Sequence, residues 1–152
     1  MSRSDWDIPA QRFNFRRDLA FGKQGEKLVN SFLKVLDDGA FEVKTDRYRN
    51  GRMAVEVMQN PRRAVDDNGE QMWKDSGIVV TKAKWWVYVF TLDRNDGTFV
   101  IVPVRRLKKF IKKNSKRLEM RDFAKNSDNP ARGYILEPSD VMEMMVSADY
   151  DE

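Results

Sequence analysis

The chain has 152 residues, which suits one compact domain, and 41% of them are apolar and 34% charged, a balance typical of globular proteins. It contains neither cysteine nor histidine, which excludes disulfides, thiolate and imidazole metal sites, and the Ser-His and Cys-His nucleophile pairs. Catalysis would therefore depend on carboxylates, Lys or Tyr, or on a hard cation such as Mg²⁺ held by oxygen ligands.

The formal net charge is +4, a mild excess whose distribution matters more than its size. No apolar run approaches the roughly 20 residues that span a membrane. The segment Met1–Asp7 lacks the apolar core of a signal peptide. We therefore expect a soluble, cytoplasmic protein without a membrane partner.

The beginning of the chain is predicted to form an arm followed by a helix. Residues 1–17 are polar with scattered aromatic and arginine side chains, which suggests an arm packed on the domain. From Asp18 to Leu36 apolar residues recur at spacings of three and four, the pattern of a helix, and Gly39 is suited to end it.

Two segments with alternating polarity follow, Phe41–Asp46 and Met53–Met58, and each is predicted to be a half-buried strand. Between them, Arg49–Arg52 is typical of a hairpin turn. The loop Pro61–Asp75 is long enough to suggest function or mobility. Its Trp73 could either stack on a base or pack within the loop.

The rest of the chain indicates a mixed β-sheet flanked by helices, in a single α/β domain spanning residues 1–152. The further predicted elements, in chain order, are a helix at Ile78–Lys84, a buried strand at Trp85–Thr91, a turn at Asn95–Gly97, a strand at Thr98–Pro103, a helix at Val104–Lys116, a strand at Gly133–Leu136 and an acidic tail at 137–152.

Glu26 is the first candidate site residue because it lies within the first predicted helix. Val29, Leu33 and Leu36 follow it at helical spacing, so its side chain is predicted to lie along the inward apolar stripe. A carboxylate there needs a partner or a metal. The alternative is that Glu26 lies at the edge of the stripe and reaches solvent.

Asp46 and Glu56 lie on the two arms of the predicted hairpin. The apolar residues that mark the buried faces of both arms are odd-numbered: Phe41, Val43, Val55 and Val57. A three-residue loop with a glycine bulge keeps odd positions opposite odd ones, so we predict a bulged turn. Both carboxylates then share one face and are close enough to hold a divalent cation. The alternative is a pair of solvated surface acids.

The order of these features resembles the PD-(D/E)xK nucleases. Gly22–Glu26 on a helix, then Asp46, a hairpin and Val55–Val57 are similar to the family's motif. Ser76–Val89 is similar to a segment of small nucleases in which a short helix with a Thr-x-Ala pattern leads into the next core strand. The resemblance covers about residues 19–112, and it implies a restriction-endonuclease-like αβββαβ core.

The resemblance also implies a metal-dependent phosphodiesterase. Asp46 and Glu56 would hold Mg²⁺, for which Mn²⁺ could substitute, and Glu26 would complete or orient the site. The family's catalytic lysine would stand two residues after Glu56, where this chain has Met58. Lys82 is the first candidate replacement and Lys44 the second, although Lys82 could equally be an ordinary surface lysine.

The predicted helix at Val104–Lys116 combines one apolar stripe with a strongly basic side, and further arginines flank Asp46 at the hairpin tip and lie in the long loop. Such clusters suit a phosphate backbone, with DNA as the expected partner, although a charge run is usually a solvated face. The basic residues of and after this helix are Arg105, Arg106, Lys108, Lys109, Lys112, Lys113, Lys116 and Arg117.

Three hypotheses follow from the sequence. The first is a Mg²⁺-dependent DNA endonuclease acting through Glu26, Asp46, Glu56 and Lys82. The second is a non-catalytic DNA-binding module on the same fold, and the third is a protein whose basic helix meets an acidic partner. Cutting both strands of a duplex at once usually needs two copies of such a site, so the first hypothesis allows a homodimer.

Overall fold

The computed structural model describes residues 15–34 and 40–152, and the chain divides into two compact units, residues 1–39 and 40–152. The single-domain organisation stays a prediction. The helices and strands, in chain order, are α1 (Phe15–Lys34), β1 (Phe41–Thr45), β2 (Met53–Gln59), β3 (Lys74–Asp75), β4 (Trp85–Asp93), β5 (Asp96–Pro103), α2 (Val104–Asn114), β6 (Glu119–Phe123), β7 (Ala131–Leu136) and α3 (Pro138–Val146).

The first unit contains α1, which confirms the predicted helix and starts three residues earlier than its apolar repeat suggested. The side chains of Leu28, Val29 and Leu33 are exposed. Residues 1–14 of the predicted arm lie outside the described residues. So do Val35, Leu36 and the predicted helix stop at Gly39.

The second unit contains a three-stranded sheet with the order β1-β4-β5. β1 runs parallel to β4, with Phe41 opposite Trp85 and Thr45 opposite Val89. β4 and β5 form an antiparallel hairpin in which Asp93 pairs with Asp96. Buried residues at three successive positions of β4 (Trp86, Val87 and Tyr88) confirm that its first half is covered on both faces.

The second sheet is four-stranded, with the order β3-β2-β7-β6, and all its strand pairs are antiparallel. The predicted hairpin between β1 and β2 is therefore wrong, and so is its bulged turn. The turn chemistry itself is present, because Arg49 and Gly51 have positive φ angles and the Asn50 side chain accepts a hydrogen bond from the Arg52 N–H. The strands separate because β1 pairs with β4, whereas both edges of β2 are taken by β3 and β7.

The alternation predicted for β2 is confirmed, since Met53, Val55 and Val57 are buried and Glu56 is half-buried on the other face. In β1 the prediction is wrong at Val43, which is 57% exposed, while Lys44 is half-buried. The core of the second unit is built where β2, β4, α2 and α3 meet. Its fully buried side chains include Met53, Val55, Ile78, Trp86, Leu107, Phe110, Leu136 and Met144.

Two segments differ from the sequence prediction. The helix predicted at Ile78–Lys84 is only a 3₁₀ turn at Gly77–Val79, because a run of β-branched residues disfavours a longer helix. The acidic tail predicted at 137–152 instead contains α3 and a 3₁₀ turn at Ala148–Tyr150. Pro138 begins α3, and Asp140 accepts a hydrogen bond from the Glu137 N–H at 3.0 Å.

The described part of the chain therefore has mixed α/β structure with two sheets and three α-helices, which confirms the predicted α/β class. Within the described residues, no helix combines the length and the apolar character needed to cross a membrane.

Candidate functional site

Asp46 directly follows β1, and its carboxylate is held in place by two hydrogen bonds. Its backbone N–H continues the parallel ladder by donating to the Val89 carbonyl at 2.9 Å. Its Oδ1 accepts from the Tyr48 N–H at 2.7 Å, and its Oδ2 accepts from the Tyr88 hydroxyl at 3.0 Å. The local turn and β4 together fix the direction of this side chain.

The Tyr88 hydroxyl connects the two sheets. Tyr88 lies in β4 with its side chain buried, and besides donating to Asp46 its oxygen accepts a hydrogen bond from the Ala54 N–H of β2 at 3.2 Å. Burial raises the pKa of Tyr88 to about 12, with a further contribution from the nearby Asp46 charge, while the bond from Ala54 acts in the opposite direction. The hydroxyl therefore stays protonated and keeps donating to Asp46 at neutral pH.

Glu56 lies in the middle of β2, on the same face as Ala54, because side chains two residues apart in a strand point the same way. Its Oε1 accepts a hydrogen bond from the Ser76 hydroxyl at 2.7 Å. Gly77 follows in a left-handed conformation with φ of 53°, and a Cβ there would lie 2.2 Å from the Glu56 carbonyl oxygen. Only glycine permits this approach, which brings Ser76 into reach of the carboxylate.

Asp46 and Glu56 line two adjoining cavities of about 360 and 300 Å³, respectively. Both cavities are lined by Thr45, Ala54, Tyr88, Phe123 and Ala124. The structure therefore brings the two predicted acids to one region without the predicted hairpin. The link between them is made by Tyr88 and Ala54, one from each sheet.

Lys44 lines the cavity of Glu56. Its ammonium group pairs with Glu42 at 2.8 Å and lies 5.7 Å from the centre of the Trp86 ring. Lys82 is exposed in the segment before β4, and it is not among the described residues that line these two cavities. Of the two predicted replacement lysines, Lys44 is the one that the fold places beside Glu56.

Glu26 lies on α1, as predicted, but its side chain is exposed and not inward, as are those of Val29 and Leu33 of the predicted apolar stripe. Its association with Asp46 and Glu56 stays a prediction. In the part of the chain that the structure describes, no group of three or more acidic side chains is close enough to hold a metal ion. Two acids, Asp46 and Glu56, thus form the centre of the candidate site, and each uses oxygen lone pairs for only one or two hydrogen bonds.

Basic side chains surround the Asp46 end of the site. Arg47, Arg52 and Arg121 line its cavity. Arg52 pairs with Glu137 at 2.9 Å, and Arg121 pairs with Glu119 at 2.8 Å, through side chains that are about half exposed. Pairs of this kind contribute little stability, so these arginines are available to an anionic ligand.

The basic face of α2 is largely occupied by the C-terminal segment. Arg106 donates to the carbonyls of Met144 and Ser147 and pairs with Asp151 at 2.7 Å. Further contacts are Arg105 with Glu152, Lys109 with the Asp151 carbonyl, Lys113 with the Asp149 carbonyl, and Arg117 with Asp140 and Glu143. Within the described residues, the cations of this face without such contacts are Lys108, Lys112 and Lys116.

Two residues of this site were missed in the sequence. Tyr88 lies in a run of apolar residues that predicted a core strand, and the hydroxyl within that run was the available signal. Ser76 was noted as the first residue of the segment Ser76–Val89, and no local pattern there indicates its contact with Glu56.

No protein-family model matches this sequence, and no curated protein or solved structure is significantly similar to it.

Proposed function

We propose that this protein is a metal-dependent DNA endonuclease with a restriction-endonuclease-like αβββαβ core. The observation that supports this function best is the convergence of Asp46 and Glu56. They come from strands of different sheets, yet they line adjoining cavities that share Tyr88. Carboxylates that line adjoining cavities, one of them bordered by arginines, suit a site that must hold both a cation and a polyanion.

Asp46 and Glu56 would hold Mg²⁺, or Mn²⁺ in its place, and Glu26 is the proposed third acid. The donor set fits, because hard divalent cations prefer carboxylate oxygens and both side chains retain free lone pairs. When bound, the cation would polarise the scissile phosphate and lower the pKa of the attacking water. Tyr88 and Ser76 would orient the two carboxylates through the hydrogen bonds described above.

Lys44 is proposed to take the part of the family's lysine, with Lys82 as the second candidate. In place of its pair with Glu42, the Lys44 ammonium would contact the phosphate or the attacking water at the Glu56 cavity. That exchange costs little, because both partners in the existing pair are about one-third exposed.

The test is cleavage of supercoiled plasmid in Mg²⁺, Mn²⁺ or EDTA by wild type, Asp46→Ala and Glu56→Ala. We expect metal-dependent nicking that both substitutions reduce by at least about 100-fold. Asp93→Ala, at the exposed end of β4, is the matched control and should retain activity. Circular dichroism checks that each variant is folded. If folded wild type cleaves plasmid with neither metal, the proposed nuclease activity is rejected.

The roles of the lysines are separated by Lys44→Ala and Lys82→Ala in the same assay. Loss of cleavage in Lys44→Ala with unchanged plasmid binding supports Lys44. Loss of cleavage in Lys82→Ala with unchanged plasmid binding, while Lys44→Ala still cleaves, supports Lys82.

A second candidate function is a DNA-binding module without catalysis. It is favoured by Met58, which packs against the hydrophobic core where the family has its lysine. This function predicts salt-sensitive binding that is the same in Mg²⁺ and EDTA, with no cleavage in either.

A further inference from the structure

We propose that the cavity next to the end of β2, lined by Asn60, Arg63, Gln71, Trp73 and Lys125, is a nucleotide subsite that accepts one unstacked base and its phosphate. The cavity has a volume of about 390 Å³. The inference rests on the proposed nuclease function for its assignment to DNA, but the chemistry that it describes belongs to separate residues.

The buried Asn60 side chain points to a ligand, because its amide is unpaired within the described part of the structure. It is 1% exposed, and both its Nδ2 and Oδ1 atoms are without a hydrogen-bond partner among the described residues. A buried amide without partners is costly, and such groups are rare in folded proteins. A carboxamide presents a donor beside an acceptor, which is the arrangement that pairs with the N6 and N7 atoms of adenine.

Trp73 provides an aromatic surface at the same cavity. Its indole is half-buried, and the Arg132 guanidinium lies 4.1 Å from the ring centre. Arg132 is itself fixed by Asp122 at 2.7 Å, which holds the pKa of Asp122 below its ordinary value. Arg132 over the ring of Trp73 makes a preorganised wall of the cavity, and aromatic and guanidinium planes are what unstacked bases pack on.

Arg63 and Lys125 supply positive charge for the phosphate. The Arg63 guanidinium donates to the carbonyls of Lys125 and Ser127, which fixes it against the loop before β7. In the described part of the chain, neither Arg63 nor Lys125 forms an ion pair with a carboxylate. Asp122 also lines the cavity and interacts electrostatically with Lys125, so the two positive charges are only partly compensated, and the excess favours an anionic ligand.

The position of the cavity fits a DNA strand that passes through the proposed nuclease site. Asn60 directly follows β2 and lies four residues after Glu56, a separation of at most about 13 Å at the rise of a β-strand. Asp122 lines both this cavity and the cavity of Asp46. A nucleotide bound here would belong to the segment next to the phosphate held at Asp46 and Glu56.

The experiment is isothermal titration calorimetry in EDTA, with the four 5′-deoxynucleoside monophosphates and with single-stranded oligonucleotides of one base type each. We expect adenine to bind about 10-fold more tightly than the pyrimidines, and Asn60→Leu to remove that preference. Asn68→Leu, at an exposed asparagine of the same loop, is the control and should keep it.

Stability measurements distinguish the subsite from a structural role of Asn60. If no protein group needs the amide, Asn60→Leu should unfold at the same or a higher denaturant concentration than wild type. If wild type binds oligonucleotides but not monophosphates, and Asn60→Leu loses this binding, the subsite is supported with single-stranded DNA as its ligand. If wild type also binds monophosphates, the ligands of the subsite include free nucleotides. An Asn60→Leu variant that keeps wild-type affinity and base preference would overturn the inference, as would wild type that binds neither ligand.

The outcome is separable from that of the nuclease proposal. Because the titrations contain no divalent metal, Asp46→Ala and Glu56→Ala should bind monophosphates like wild type. Base-selective binding without plasmid cleavage would retain the subsite and reject the enzyme. Plasmid cleavage without base-selective binding would retain the enzyme and reject the subsite.

Discussion

The Tyr88 hydroxyl donates a hydrogen bond to Asp46 at 3.0 Å while it accepts one from the backbone of the neighbouring sheet. We expect Tyr88→Phe to lower the free energy of unfolding by about 1 to 3 kcal/mol, because the Ala54 N–H loses its partner in a partly buried position. Urea denaturation measures the change. Tyr134→Phe, a half-buried tyrosine of β7, is the control and should change stability by less than half as much. Equal effects would contradict a special role for the Tyr88 hydroxyl.

Alkaline pH should weaken the folded state through the same hydroxyl. The pKa of Tyr88 is raised from 10.0 to about 12 in the folded protein, mainly by burial, so the folded state binds this proton more tightly than the unfolded state does. Its contribution is complete below pH 10 and is lost as the pH rises from 10 to about 12. At most it amounts to about 2 to 3 kcal/mol. The difference in unfolding free energy between wild type and Tyr88→Phe should narrow across this range, and a constant difference would contradict the assignment.

Gly77→Ala should disturb the Glu56 side of the site. The added Cβ would meet the Glu56 carbonyl oxygen at 2.2 Å in a left-handed backbone conformation. We expect the free energy of unfolding to fall by at least about 2 kcal/mol. If Glu56 holds Mg²⁺ as proposed, Mg²⁺ binding should weaken as well, because Ser76 moves away from the carboxylate. Gly69→Ala is a matched control, because Gly69 also has a positive φ but has open space around it, and its loss should be about 1 kcal/mol. Equal losses would show that the contact with Glu56 is unimportant.

Arg106 holds the end of α3 against α2. Its side chain is only 12% exposed, and it reaches two main-chain carbonyls and Asp151. Arg106→Ala should lower the free energy of unfolding by about 2 kcal/mol, because two part-buried main-chain carbonyls lose a charged donor. Arg106→Lys should recover less than half of the stability that Arg106→Ala loses, since one ammonium group cannot make the several hydrogen bonds of the planar guanidinium. The control is Arg105→Ala, whose exposed pair with Glu152 contributes little. Thermal unfolding ranks the three variants.

If α2 contacts DNA, its free lysines should carry the contact. Lys108→Ala combined with Lys112→Ala is expected to weaken binding at low salt and to reduce the slope of log affinity against log salt by up to about 2. The pair Lys109→Ala and Lys113→Ala should change the slope by less, because these side chains already donate to the C-terminal segment. Fluorescence anisotropy with a labelled duplex gives both slopes. The opposite ranking would place the DNA on the other face.

The elements that the sequence predicted well are those with local signals. The β4–β5 hairpin and α2 have strong apolar patterns with clear turn residues between and around them, so their existence and their approximate bounds were evident. The burial of Val55 and Val57 followed from simple alternation in a strand that is covered on one face.

The errors lie where distant partners decide the structure. The turn residues at Asn50 and Gly51 are real, but they cannot reveal that β1 pairs with β4 rather than with β2. Val43 lies opposite the buried Val87 in this pairing, yet on the edge strand β1 it is 57% exposed. In the C-terminal segment, acidic composition hid the helix-start signals of Pro138 and Asp140, and the apolar side chain of Met144 reached the core.

The site could be predicted only in part. Asp46 and Glu56 were identified by their position in a motif and by the scarcity of other catalytic side chains. Their approach depends on Tyr88, which joins strands of two sheets, and a contact between sheets leaves no mark in the spacing of residues. Lys44 came second to Lys82 because its environment depends on the parallel pairing of β1.

The parallel pairing of β1 with β4 also has a consequence for the order of folding. Residues 46–84, which include β2 and β3, separate these two strands, so their pairing must close a long loop before it yields any contact. The β4–β5 hairpin has a short turn and can form early. Substitutions in that turn, such as Gly97→Ala, should therefore slow refolding. Substitutions in β1 should mainly accelerate unfolding. This is because β1, the strand that leads to Asp46, is expected to join its sheet last and to detach from it first.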